Sequence, residues 1–405
     1  MGASHASGFG SSGNLASSGF DLRILFVSSS SGSRGGGELY LVYLGQALVA
    51  AGHEVTLWVS NHPRMDELTV RFEPFGRVIR SHYRNTYDRA GRNLSVWYDR
   101  RTPAYLADEW QAGDWDLVHL NKQNLEDGLD MIQASRLMSK PSVCTIHITQ
   151  DARYLRARFG AVRDWVSRRI LKSYAGTYIA VLDKRAEELR RFLGDGLRVI
   201  DIPNGVTVRE SGAGEELRQS TRRRLGLQES DVLILGVGRM TSQKRPLLFL
   251  SIAKRILGAN PNARFLWIGS GKLQAEWDRK VAELDLREAV SCLPWQDSAQ
   301  PYLAAADLLL HVAQFEGLAF APLEAMAAGL PCALSDNLFE EMEFLHKRHA
   351  LRVGESFDGS PELLDRANLD IYRESGRQLI QDRFSIEKMA SRYLEAYSAA
   401  LQRGL

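Results

Sequence analysis

The stretch from Ala306 to Asp336 constrains the fold of this chain more than any other. It opens with ADLLLHV (Ala306 to Val312), an apolar run whose length and flanks suit a buried parallel strand. A short loop carrying Glu316 and Gly317 then leads into a helix expected over Pro322 to Ala328, which places Glu324 in its first turn. Proline stands at the start of that helix, Gly329 where a C′ residue belongs, and Pro331 just beyond. A loop entering a helix N-terminus from the carboxyl end of a parallel strand presents unpaired N–H groups, so it suits an anion or a nucleotide. Two carboxylates beside such a site are out of place if the ligand is phosphate alone. They fit a ligand that also carries hydroxyls, as ribose and sugars do.

The same alternation runs through the chain in two blocks. In the first, Leu22 to Ser28 reads as a strand, Ser31 to Gly37 as a glycine-rich loop, Glu38 to Ala51 as a helix and Val55 to Val59 as the next strand. Asp116 to Leu120, Ser142 to His147, Thr177 to Val181 and Leu197 to Ile202 supply further strands, and Pro203-Asn204-Gly205 makes a turn. The arginine-rich residues 64–101 are expected to be loops with a short helix. Asp151 to Ala175 has apolar residues at helical spacing and seven basic side chains against two acidic, which predicts an amphipathic helix. Its basic face is either solvated or in contact with an anionic surface.

Polar residues 207–230 resemble a linker, and a second block follows. Its strands are Val232 to Val237, Arg264 to Ile268 and Val290 to Leu293, with a loop from Gly238 to Arg245 and a helix from Pro246. Ser385 to Leu401 carries a helical apolar stripe that needs a partner, and the first block is the expected one. At 405 residues the chain exceeds one ordinary core. The fold class is therefore α/β, two facing Rossmann-like doubly wound domains. We expect a leader or tag remnant over 1–20, an acceptor-side domain over 21–205, a nucleotide-binding domain over 206–385 and a C-terminal helix over 386–405. Facing domains of this kind hold ligand in the cleft outside their strand ends.

Composition narrows the function. A net charge of +2 argues against a dedicated nucleic-acid binder. Cys144, Cys292 and Cys332 lie in or beside apolar runs without metal-ligand spacing, which suits buried, reduced thiols and a cytoplasmic protein. No apolar run approaches the roughly 20 residues that span a bilayer. Arg239 and Lys244, five apart in a post-strand loop, could neutralise a diphosphate and stabilise its departure without a metal. His147 ends a strand at the level of the cleft. Asp114 and Asp116 read as structural, and there is no glycine–serine elbow, zinc spacing or Walker loop.

Together these residues resemble the retaining nucleotide-sugar glycosyltransferases of family 4, which have the GT-B fold. The resemblance rests on GGGE (Gly35 to Glu38), GHEV (Gly52 to Val55), His147, IPNGV (Ile202 to Val206), GVGRMTSQK (Gly236 to Lys244) and IGSG (Ile268 to Gly271). Most specific is Glu316 with Glu324, in E-x7-E spacing followed by EAMAAGLP. It implies that Arg239 and Lys244 bind the donor diphosphate, Glu324 the ribose and Glu316 the sugar. Backbone groups of Gly317, Leu318, Ala319 and Phe320 would face sugar and phosphates, with Gly36 approaching from the first domain. Gly269 joins the donor site, His147 lies near the sugar, and Trp295 is a candidate neighbour of the base. The resemblance also implies retention by front-face attack, a UDP-sugar donor and no metal or other cofactor. Departures are Leu318 and Ala319 where an aromatic and a second glycine are usual, Ile148 where aspartate is frequent, and Asp183 where serine is common. The basic residues of 64–101 and 151–175 suit an anionic or lipid-linked acceptor and peripheral contact at the inner face of a membrane, and a solvated surface explains them as well. A sugar-nucleotide epimerase and a non-catalytic nucleotide-sugar binder are the competing readings.

Overall fold

The computed structural model describes residues 21–404, apart from 30–31, 33–34, 90, 209–213, 343–344, 346–347, 358 and 360–363. The leader expected over 1–20 and part of the Ser31 to Gly37 loop lie outside the described residues.

The first sheet is built from β1 (Arg23–Ser28), β2 (Glu54–Ser60), β3 (Arg77–Ser81), β4 (Leu117–Lys122), β5 (Ser142–Ile146), β6 (Thr177–Ala180) and β7 (Val199–Asp201). All its pairings are parallel, in the order β3-β2-β1-β4-β5-β6-β7. Helices α1 (Gly36–Ala50), α2 (Asp66–Phe72), α3 (Arg101–Ala112), α4 (Leu129–Ser135), α5 (Gly160–Leu171) and α6 (Asp183–Leu193) connect the strands. Near-continuous apolar runs such as Ile24 to Val27 can be buried on both faces only if helices cover both faces, which is how they sit here.

The second unit repeats the plan. Its sheet is β8 (Val232–Val237), β9 (Ala263–Ile268), β10 (Val290–Leu293), β11 (Leu308–His311), β12 (Cys332–Ser335) and β13 (Leu351–Val353), ordered β10-β9-β8-β11-β12-β13. Its helices are α7 (Gly214–Arg224), α8 (Pro246–Ala259), α9 (Gln274–Glu283), α10 (Gln300–Ala305), α11 (Phe320–Ala327), α12 (Asp336–Glu341) and α13 (Arg366–Arg383). The chain ends in α14 (Ile386–Gly404). Strand order reverses between β1 and β4 in one sheet and between β8 and β11 in the other. Such switch points leave a crevice at the strand ends, and the candidate residues fall there.

The crossing back of the last helix is present. Phe384 O accepts from Val206 N and Val206 O from Ile386 N, so the chain leaves the second unit beside the turn where it entered. A Cβ on Gly205 would stand 2.5 Å from Ser385 O, which is why this turn carries a glycine. Tyr393 and Tyr397 of α14 then bury themselves against the first sheet, with Tyr397 Oη 2.7 Å from His119 Nδ1 and Thr145 Oγ1 2.8 Å from His119 Nε2.

Three expectations are corrected. Residues 64–101 contain β3, which sequence reading leaves among loops; as an edge strand it exposes Arg77 and Arg80, and arginine at an edge blunts further pairing. The helix expected over 151–175 is only α5, because Arg156 and Phe159 adopt left-handed φ of 52° and 58° and interrupt any helix through them. Of its expected stripe, Val166 and Leu171 are buried while Tyr154, Leu155, Phe159 and Val162 are exposed. Within the supposed linker, α7 is an integral helix. Its Arg218 donates to the carbonyls of Ala304, Ala305 and Ala306 and pairs with Asp307 at 2.7 Å.

Candidate active site

The cleft between the two sheets encloses about 1380 Å3. His147, Arg239, Lys244, Glu316, Gly36, Trp295, Gly317, Leu318, Ala319, Phe320 and Glu324 all line it. Gly269 does not. It has φ 129°, and a Cβ there would lie 2.3 Å from Gly238 O, so it shapes the loop that carries Arg239 without facing the cleft.

On the second unit, Lys244 Nζ and Glu316 Oε1 are paired directly, and His311 Nε2 lies 3.2 Å from the same carboxyl oxygen. Burial alone would favour the neutral acid. The Lys244 ammonium and the hydrogen bond from His311 outweigh it and hold the Glu316 carboxyl at about 2. Burial in turn lowers the pKa of His311 below its usual value, so near neutral pH the ring is uncharged and donates from Nε2. Arg239 is exposed to the cleft and has no ion-pair partner among the described residues. One cation is thus committed to a carboxylate and the other is available to a ligand anion.

Helix α11 begins at Phe320, two residues earlier than expected. Glu324 therefore sits one turn into the helix instead of at its start. Tyr43 Oη, from α1 of the first unit, donates to Glu324 Oε1 at 2.5 Å, and burial raises the Glu324 pKa despite that bond. Tyr43 also meets Phe320 edge-on at 5.1 Å. A Cβ on Gly36 would lie 3.6 Å from the Phe320 ring.

On the first unit, the His147 tautomer is fixed by its neighbours. Asn121 Nδ2 donates to Gly37 O at 2.9 Å, so Asn121 Oδ1, 2.7 Å from His147 Nε2, must accept. His147 then carries its proton on Nε2 and keeps Nδ1 as an acceptor. Burial lowers its pKa to about 4, so it is neutral near pH 7. The two units meet at this residue, where a Cβ on Gly317 would be 2.2 Å from His147 O. Asn204 Nδ2 donates to Leu318 O at 2.7 Å from the IPNGV turn, and Trp295 Nε1 donates to Glu67 Oε1 at 2.8 Å. Arg71 lies over the Trp295 ring, 5.8 Å from its centroid, so this indole also joins the two units.

Sequence reasoning missed His311, Tyr43, Asn121 and Asn204. A lone histidine ending an apolar strand five residues before Glu316 was the one readable signal; the others depend on which elements become neighbours. Among the described residues no cluster of three or more His, Cys, Asp or Glu is placed to hold a metal, and no helix is long and apolar enough to cross a membrane.

Comparison with known proteins agrees with this geometry. The model described as Glycosyltransferase Family 4 matches residues 34–210, and that described as Glycosyl transferases group 1 matches residues 218–350. The chain belongs to the GT-B glycosyltransferases of the family 4 type. This glycosyltransferase is 25% identical over 319 residues to a UDP-Gal:alpha-D-GlcNAc-diphosphoundecaprenol alpha-1,3-galactosyltransferase of Escherichia coli, covering 76% of this chain and 81% of that one. It is 28% identical over 242 residues to a 2-deoxystreptamine glucosyltransferase of Streptomyces kanamyceticus, covering 56% of this chain and 60% of that one. Among solved structures, Anabaena HepE in complex with UDP and glucose superimposes with a TM-score of 0.75 at 16% identity, over 93% of this chain and 100% of that one.

Because Gly317 touches the His147 carbonyl, Gly317→Ala is expected to hold the two halves of the glycosyltransferase site apart. Turnover should fall by about a hundredfold, the effect of a displacement near 1 Å at a reacting centre. Steady-state kinetics checks this, and activity within a fewfold of wild type would contradict the close approach.

Proposed function

We propose that this glycosyltransferase takes its sugar from a UDP-sugar, transfers it with retention and without a metal, and delivers it to a lipid-linked acceptor at a membrane surface. The observation that carries the donor reading is that Arg239, with no ion-pair partner among the described residues, and the Lys244–Glu316 pair line the same cleft as Phe320, where α11 begins. A diphosphate fits against Arg239 and Lys244, hydroxyls of the sugar against Glu316 and His147 Nδ1, and ribose against Glu324. UDP is favoured because the Escherichia coli relative is named for UDP-Gal and the Anabaena structure holds UDP.

The engagement of four of the cleft carboxylates supports the retaining reading. Glu316 is tied to Lys244, Glu324 to Tyr43 and Glu126 to Arg163, while Asp127 accepts from Ser29 Oγ and from the backbone N–H groups of Gln123 and Asn124. A dedicated base is not needed if the bond from the anomeric carbon to the diphosphate breaks as the acceptor oxygen attacks the same face. The acceptor proton then passes to the departing phosphate oxygen. Arg239 and Lys244 stabilise that leaving charge in place of a metal.

Incubation with a panel of nucleotide sugars tests the donor reading. UDP release is expected with at least one UDP-sugar and should persist in EDTA. Glu316→Ala should lower turnover by about a hundredfold or more, with UDP affinity changed by less than about tenfold. Tight UDP binding without release from any donor would indicate a binder, and isomerised donor without release an epimerase.

The membrane reading rests on an exposed patch of the first unit. Trp97, Tyr98, Tyr154, Phe159 and Trp165 are 48%, 69%, 60%, 68% and 53% exposed, with Arg153, Arg156, Arg158 and Arg169 exposed beside them. Aromatic side chains among arginines suit the interface of an anionic bilayer. Co-sedimentation with anionic vesicles at low salt should capture the protein, and Phe159→Ser with Trp165→Ser should abolish capture. Failure of the wild type to bind removes this reading.

A further inference from the structure

Beyond the donor groups, the cleft wall formed by the loops after β4 and β5 carries side chains with no assigned task. The two loops are held together, with Lys122 O accepting from His147 N and Gln123 O from Ile148 N. Gln150 lines the cleft three residues past His147 and is only 6% exposed, yet among the described residues neither its Nε2 nor its Oε1 has a hydrogen-bond partner. Gln123 lines the same wall, and its Nε2 is likewise buried and unpartnered. Its carboxamide lies against the first turn of α1, since a Cβ on Gly37 would stand 2.1 Å from Gln123 Oε1. A buried polar group without a partner is costly, so a carboxamide in this state at a cleft wall marks a place where a ligand supplies the bonds.

We infer that Gln150 and Gln123 form the acceptor subsite of this enzyme, and that they bind the hydroxyls of a neutral sugar ring. The inference rests on the donor reading and adds the chemistry of the acceptor's reacting end. A carboxamide presents two donor hydrogens and a carbonyl acceptor side by side, which matches hydroxyls on adjacent ring carbons, each able to give and accept. A phosphate or carboxylate would satisfy the N–H groups and be repelled by the carbonyl. The charges nearby are already spent on each other. Arg163 holds Glu126 through Nε at 2.7 Å and Nη2 at 2.5 Å, and both side chains line the same wall. Leu155 and Ala157 add apolar surface there for the ring's C–H face. Any anionic lipid portion of the acceptor therefore lies outside this subsite, toward the arginine-rich patch.

The test is ligand-observed NMR on the full chain saturated with UDP, titrated with a panel of neutral methyl pyranosides and, separately, methyl phosphate. At least one pyranoside should bind the wild type, and Gln150→Leu should weaken it about tenfold or more, the loss of two hydrogen bonds. UDP affinity should not change. Gln150→Leu removes the unpaired polar atoms at similar volume, so its melting temperature should not fall, and Gln123→Ala provides a second variant with the same expected weakening. Binding of methyl phosphate alone, no pyranoside binding to the UDP-loaded wild type, or pyranoside binding indifferent to both substitutions would overturn the subsite while leaving the donor reading intact. Failure to bind UDP at all would overturn the donor reading and this inference with it.

Discussion

The ion pair of Lys244 with Glu316, braced by His311, is the interaction on which the rest of the site depends. Each of its three members comes from a different place: the loop after β8, the loop after β11 and the last residue of β11. A buried carboxylate left alone would take up a proton, and a buried ammonium would lose one. Paired with Lys244, Glu316 stays ionised, and the pair ties the two strands flanking the switch point to the start of α11. Removing one member of a buried pair costs several kcal/mol, so the arrangement is stiff. The cleft therefore meets a donor with its charges already oriented, which is the condition for electrostatic catalysis.

Closure of the cleft depends on backbone approach as much as on charge. Gly317 lies against the His147 carbonyl and Gly205 against Ser385, and no side chain larger than hydrogen fits at either place. Around these points Tyr43 reaches Glu324, Asn204 reaches Leu318, and Trp295 reaches Glu67. Arg185, buried on α6, pairs with Glu341 of α12 at 2.9 Å and extends the same contact beyond the cleft. The last helix seals the first unit through Tyr393 and Tyr397, so the chain's end stabilises the half to which it does not belong by sequence order. The two walls of the cleft are thereby set at a fixed spacing.

The two parallel sheets were legible because strands buried on both faces read as continuous apolar runs, and glycine marks the loops between them. β3 was hidden because an edge strand is buried on fewer sides, so RVIRS keeps its arginines. α5 was overextended because residues 151–159 keep helical spacing while two left-handed residues, Arg156 and Phe159, break the helix. At the site, residues within one motif could be read together: Glu316 with Glu324, and Arg239 with Lys244. What the sequence could not show was pairing between distant motifs. Lys244 was assigned to phosphate, yet it also holds Glu316; Glu324 was assigned to ribose, yet it also meets Tyr43. The carboxamides of Gln150 and Gln123 are ordinary in sequence and become unusual only when burial leaves both polar atoms of Gln150 and Nε2 of Gln123 without partners among the described residues.

The most direct measurement is the carboxyl titration of Glu316 by carbon-detected NMR, in the wild type and in Lys244→Met. With Lys244 present the carboxyl should titrate near 2, because the ammonium and His311 outweigh burial. With the ammonium removed, burial is opposed by His311 alone, and the carboxyl should titrate at a clearly higher pH. A wild-type value in the ordinary range, or one unmoved by Lys244→Met, would contradict the account.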